Sequence, residues 1–212
     1  MNIIFVRHGL TSANEQHLFC GRTNCELSVA GREQVKLCAE QFREANVDAW
    51  LCGTSKRSEQ TLEIIFDDLV IPKEVAVFMD DIREINFGEF ENYSQEELEI
   101  QYPDLINDYL NDWENFTFPG GDSVRDYFSY CNKSIFKILG KYYDCENICI
   151  VGSKGYICAA ICALKGLGLE HMFEFDIDCG QALMMSVDIF VNEEGYLELG
   201  NSRPENDTES LD

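Results

Sequence analysis

The chain has 212 residues, enough for one domain that buries roughly 70% of the surface its unfolded form exposes. Hydrophobic residues make up 45% and charged residues 26%, the balance of a globular chain, and its apolar runs are too short and interrupted to span a membrane. With 16 Lys+Arg against 39 Asp+Glu, the formal charge is −23. Such a surface excludes nucleic acid and anionic lipid as partners, and it repels phosphorylated metabolites unless the few arginines gather in one pocket.

The first element, "NIIFV" (residues 2–6), reads as a buried strand ended by a glycine turn. The opening residues lack the basic and long apolar regions of a signal peptide, so a cytoplasmic location is expected. A helix is predicted over 28–45, with Val35, Cys38, Ala39 and Phe42 on one face. Strand 48–52, helix 58–69 and strand 74–79 follow. Residues 80–121 differ: they are rich in Glu, Asn, Tyr and Trp and end in "FPGG". They predict a lid-like excursion with a helix near 94–111. A long amphipathic helix spans 122–143, capped by Asp122 or Ser123. "NICIVG" (147–152) is apolar on both faces, which places it centrally in a sheet. A buried helix (155–168) follows, then a hairpin of 182–192 and 196–200 turned at Glu194-Gly195. A polar tail covers 201–212.

Strand and helix alternate, so the fold expected for residues 1–200 is a single three-layer α/β domain. Its sheet is mainly parallel, with helices on both faces. Ligands of such sheets bind beyond the carboxyl ends of the strands. Arg7–Gly9 and Gly152–Gly155 both stand at such ends. The ten cysteines form no C-x-x-C pair, several lie inside apolar runs, and the three histidines lack metal-ligand spacing. They are read as buried, reduced thiols, with no metal and no cofactor expected.

Histidine accepts a phosphoryl group when it is neutral and held by a partner, and fixed guanidinium donors match the charge spread over the transferred group. Arg7 and His8 are adjacent and in a regular strand would face opposite ways; Gly9 permits the turn that brings both to one pocket. The surrounding blocks give this tripeptide its weight. "RHGLTSAN" is followed by "FCGRTNCELSVAGREQ", then "SKRSEQT", "DDIREINFGEFEN" and "PGGDS".

In this order and spacing the chain resembles the histidine phosphatase superfamily, the group that contains cofactor-dependent phosphoglycerate mutases and alpha-ribazole phosphatases. The resemblance runs from residue 2 to about 168, and it is closest in character to the alpha-ribazole phosphatase-like members. It implies a phosphoglycerate mutase-like fold and a phosphomonoester hydrolase. By position, His8 matches the phosphorylated nucleophile, and Arg7 and Arg57 the arginines that grip the phosphate. Asn14 matches a donor to a phosphate oxygen, Glu84 the proton donor to the leaving group, and Gly21, Arg22 and Thr23 a loop lining the pocket.

One segment departs from the family's pattern. Where a second histidine is expected, in a sequence like V-S-H-G-G, the chain reads "IVGSKGYICAA", with Ser153 at the histidine and Lys154 at the first glycine. No histidine occurs between His17 and His171. Serine supplies no imidazolium, although the Lys154 ammonium is a flexible charge within reach of such a pocket. Two readings follow: a phosphatase acting through phospho-His8 with a weakened or altered site, or a non-catalytic relative that binds a phosphorylated ligand or a protein partner. The expected partner is a small phosphorylated metabolite, with a homodimer left open. Mutase activity is disfavoured, because residues 85–121 hold no Lys or Arg to clamp a doubly phosphorylated intermediate. Their aromatic residues suit a bulky, less anionic alcohol such as a nucleoside-like group, or simply pack the excursion.

Overall fold

Alternating side chains of the strands face two separate cores, and this sets the architecture. The computed structural model describes residues 1–191 and 197–199. Strands β1 (Asn2–Arg7), β2 (Ala49–Gly53), β3 (Ala76–Met79), β4 (Asn147–Gly152) and β5 (Ala182–Ser186) form one sheet in the order β3-β2-β4-β1-β5. The first four are parallel and β5 is antiparallel to β1. On one face Ile3, Phe5, Leu51, Ile148 and Ile150 pack under α6 (Val124–Lys141) and α7 (Lys154–Lys165). On the other, Ile4, Val6, Trp50, Cys52, Cys149 and Val151 pack under α2 (Val29–Glu40) and α3 (Lys56–Leu69), while the short α1 (Ser12–Glu15) follows β1. The expected three layers are therefore present, and β4 is central.

Several boundaries depart from the sequence expectation, each for a local reason. The helix expected over 28–45 ends at Glu40, where Gln41, Phe42 and Arg43 accept a tighter i→i−3 pattern. The excursion holds two helices, α4 (Gln95–Gln101) and α5 (Pro103–Asn111). Pro103 excludes Tyr102 from helical geometry (φ −136°, ψ 56°) and itself starts the second helix. Ser123, whose hydroxyl accepts from the Asp126 N–H, caps α6. The span 182–192 divides into β5 and β6 (Ile189–Val191), and β6 pairs antiparallel with β7 (Leu197–Leu199). The Glu194-Gly195 turn and the tail lie outside the described residues. Among the described residues, no helix is long and apolar enough to cross a membrane.

The β1–α2 junction is unusually close. A Cβ on Gly31 would lie 2.0 Å from the Leu10 carbonyl oxygen, so only glycine lets α2 rest against the chain leaving β1. That contact fixes the path of the backbone just after His8.

Candidate active site

The site is assembled by strand register. Arg7 lies opposite Gly152 in the parallel β1–β4 pair, and His8 N–H donates to the Gly152 carbonyl at 3.0 Å, one residue beyond the strand. This brings the ends of two segments 145 residues apart into contact. The carboxyl ends of β2 and β3 open on the same side, and they deliver Arg57 and Glu84.

His8 is 4% exposed. Its Nδ1 lies 2.9 Å from the Gly9 carbonyl oxygen. A carbonyl only accepts, so this bond assigns the proton to Nδ1 and leaves the Nε2 lone pair free. Burial, then the Arg57 charge and to a lesser degree Arg7, push protonation of the ring down to about 3. His8 is thus neutral and oriented, with one ring nitrogen unprotonated.

The same burial has a stability consequence. An unfolded His8 takes up a proton near the usual 6.5, whereas the folded one resists until about 3. Between these values the unfolded chain binds more protons, so falling pH drains stability at up to about 1.4 kcal/mol per pH unit. Urea unfolding of the wild type and His8→Asn at about pH 7 and pH 5 checks this. The wild type is expected to lose more stability on acidification than the variant; equal losses would remove His8 as a buried neutral group.

Arg57 was expected just before a helix. Because α3 begins at Lys56, it instead lies in the first turn and is only 2% exposed. Its Nη2 donates to the Gly21 carbonyl (2.8 Å) and the Ser153 hydroxyl (3.3 Å), and its Nη1 to the Thr23 carbonyl (3.0 Å). Arg7 donates through Nη1 to the Ile177 carbonyl at 2.8 Å. Among the described residues, no carboxylate forms an ion pair with either arginine. Two positive charges beside a neutral imidazole, in a chain of net charge −23, make a local anion site.

Glu84 is held by three donors. Oε1 accepts from Ile85 N–H (2.9 Å) and lies 3.1 Å from the Tyr127 hydroxyl; Oε2 accepts from Gly155 N–H (3.0 Å). A Cβ on residue 155 would stand 2.2 Å from Glu84 Oε1, so the glycine makes room for the carboxyl group. Beside Glu84 opens a slot of about 190 Å³ lined by Lys154, Phe19, Phe87, Tyr109 and Trp113. Of the excursion's other aromatic residues, Phe90 is fully buried in the core, and Phe118, equally buried, also forms part of the slot's wall.

The remaining candidates divide. Asn14 closes a capping box with Thr11, its Oδ1 accepting from the Thr11 N–H and hydroxyl. With Arg7 it lines a more open polar cavity of about 740 Å³. Ser153 is buried against Arg57. Lys154 forms an exposed ion pair with Asp176, Nζ to Oδ1 at 2.5 Å. The N–H groups of Gly21, Arg22 and Thr23 do not face the pocket: all three donate to the Glu91 carboxylate at 2.8–3.1 Å. Their loop serves the site through the two carbonyls that hold Arg57, and the Arg22 side chain is exposed. Glu91 and Tyr127 escaped the sequence reading. Glu91 sits within the "FGEFEN" block, the one signal that was available for it; Tyr127 looks like any apolar position of α6.

The model of the histidine phosphatase superfamily (branch 1) matches residues 3–198 of the chain. The chain belongs to this superfamily. Among its relatives, the adenosylcobalamin/alpha-ribazole phosphatase of Escherichia coli (strain K12) is 24% identical over 180 residues, 85% of this chain and 87% of that protein. Phosphoserine phosphatase 1 of Hydrogenobacter thermophilus is 25% identical over 179 residues, 84% of this chain and 82% of its own. The structure of the alpha-ribazole phosphatase from Shigella flexneri superposes with a TM-score of 0.80 at 24% identity, covering 94% of this chain and 95% of that one. This likeness shows the phosphoglycerate mutase-like fold. Membership and the phosphatase names of the relatives support an enzyme that hydrolyses phosphomonoesters.

Proposed function

We propose that the chain is a phosphomonoesterase working through a phosphohistidine on His8. The observation that carries this reading is the Nδ1 bond to Gly9, which leaves Nε2 unprotonated on a ring that feels the charges of both Arg57 and Arg7. Nε2 attacks phosphorus, the ester P–O bond breaks, and the departing oxygen takes a proton from Glu84. Water then attacks the phosphohistidine, Glu84 takes its proton, and inorganic phosphate leaves. Arg57 and Arg7 offset the charge on the equatorial oxygens, with Asn14 Nδ2 as a further donor. The aromatic slot next to Glu84 suits an alcohol with a flat, weakly charged body, in keeping with the alpha-ribazole phosphatases among the relatives. Brief reaction with a ³²P-labelled monoester and acid-free quenching is expected to leave acid-labile label on the His8 peptide. Turnover without label on that peptide would sink the phosphohistidine route.

Ser153 favours a reduced rate, and it alone favours the second reading of a non-catalytic binder. It stands where the family's second histidine is expected and offers a neutral hydroxyl already engaged by Arg57. The Lys154 ammonium pairs with Asp176 at the slot beside Glu84, which favours no full replacement of that histidine. Ser153→His is expected to raise kcat at least about tenfold, since one such donor accounts for roughly 10²–10³ in rate. An unchanged kcat in a folded variant would show that no donor is missing at residue 153.

A further inference from the structure

Cys20 and Cys25 flank the loop whose carbonyls hold Arg57, and the mechanism uses neither. Their sulfurs are 2.9 Å apart, closer than two sulfurs sit when merely packed. Each sulfur is also 3.6 Å from Arg57 Nη1. Both residues are only half-buried, so small molecules reach them. All ten thiols are free, but only six are buried; Cys20, Cys25, Cys145 and Cys179 are partly exposed, which corrects the expectation that all lie in apolar cores.

From this geometry we infer that Cys20 and Cys25 are a redox-active dithiol, closed to a disulfide by a hydroperoxide, and that closure strengthens phosphate binding at Arg57. The chemistry of the pair favours Cys25 as the attacking sulfur. A hydrogen bond from Cys20, then the Arg57 charge, draws its thiol down to about 5 despite burial. The other nine cysteines shift upward, Cys20 through the same hydrogen bond and the others through burial. A partly exposed thiolate beside a cation and a resolving thiol is the setting in which cysteine oxidation is selective.

The steps balance. The Cys25 thiolate attacks the distal oxygen of the hydroperoxide and the O–O bond breaks. The alkoxide, or hydroxide, leaves with the proton that Cys25 had released. The Cys20 sulfur then attacks the Cys25 sulfenic sulfur, the S–S bond forms, and water leaves with the Cys20 proton. Two electrons pass from the thiols to the peroxide, and a dithiol reductant reverses the change. The sulfurs need to close by less than about 1 Å to reach disulfide length, so the loop keeps its path. What changes is charge. Reduced, the hydrogen-bonded pair can carry a negative charge 3.6 Å from Arg57 Nη1; oxidised, it is a neutral disulfide and leaves the Arg57 charge free to attract phosphate.

The effect on phosphate rests on Arg57 as a phosphate ligand, but disulfide formation does not. The full chain is treated with hydrogen peroxide, alkylated and mapped by mass spectrometry, and inorganic phosphate is titrated into both states. A Cys20–Cys25 cross-link is expected before the other cysteines react, together with roughly tenfold tighter phosphate binding that reductant reverses. The shift should vanish in the C20S/C25S chain. In Cys20→Ser alone, Cys25 should stop at the sulfenic acid and take up dimedone. If both thiols remain alkylatable, or affinity is the same in the two states, the inference is overturned. A protein that gains phosphate affinity on oxidation yet never labels His8 would sink the hydrolase reading and leave this one standing.

Discussion

His8→Ala is expected to lower phosphomonoester hydrolysis by about 10⁴-fold or more while leaving phosphate affinity within a few fold. The two effects separate because the side chain does one job. His8 is neutral at pH 7, so its removal takes no positive charge from the pocket. Arg57 keeps its bonds to Gly21 and Thr23, and Arg7 its bond to Ile177. The backbone also survives, because His8 N–H pairs with Gly152 and Gly180 N–H with the His8 carbonyl, whatever the side chain. What disappears is the Nε2 lone pair. Steady-state rates and titration with inorganic phosphate decide the matter. A residual rate within about tenfold of wild type would remove His8 as nucleophile. A matching collapse in phosphate affinity would make it a binding group instead.

Much of the fold was legible because it rests on local pattern. Apolar strands of five or six residues alternate with helices whose buried positions recur every three or four, and the central place of 147–152 follows from its two-sided apolarity. The register that pairs Arg7 with Gly152 was not legible, because no local pattern encodes contact between such distant segments. For the site, Arg7, His8, Arg57 and Glu84 stood out through the order of motif blocks. Their partners did not. Glu91 holds the 21–23 loop, but a carboxylate in a chain with 39 acids carries little signal by itself. The fate of that loop followed from this omission: it reads as a loop lining the pocket, and nothing local shows that its N–H groups are taken by Glu91. Lys154 shows the same limit: it lines the slot beside Glu84, as its charge and position suggest, but no local pattern announces its ion pair with Asp176.

Glu84→Gln should cost about 10²- to 10³-fold with an alkyl phosphate and little with p-nitrophenyl phosphate. An alkoxide leaves poorly without a proton, whereas nitrophenolate needs none. The glutamine keeps the shape of the side chain and can still accept from Ile85 N–H, but it has no carboxyl proton to give. A residue that only shaped the pocket would lower both rates alike, so the ratio between the two substrates isolates the acid. Gly155→Ala supplies the complementary result. Its Cβ would stand 2.2 Å from Glu84 Oε1 and forces the carboxyl group away while leaving it intact. If the acid must be placed and not merely present, this variant shows the same substrate dependence as Glu84→Gln. Equal losses on both substrates in the two variants would assign Glu84 to structure, holding the start of α7 through Gly155, and leave the leaving oxygen to another donor.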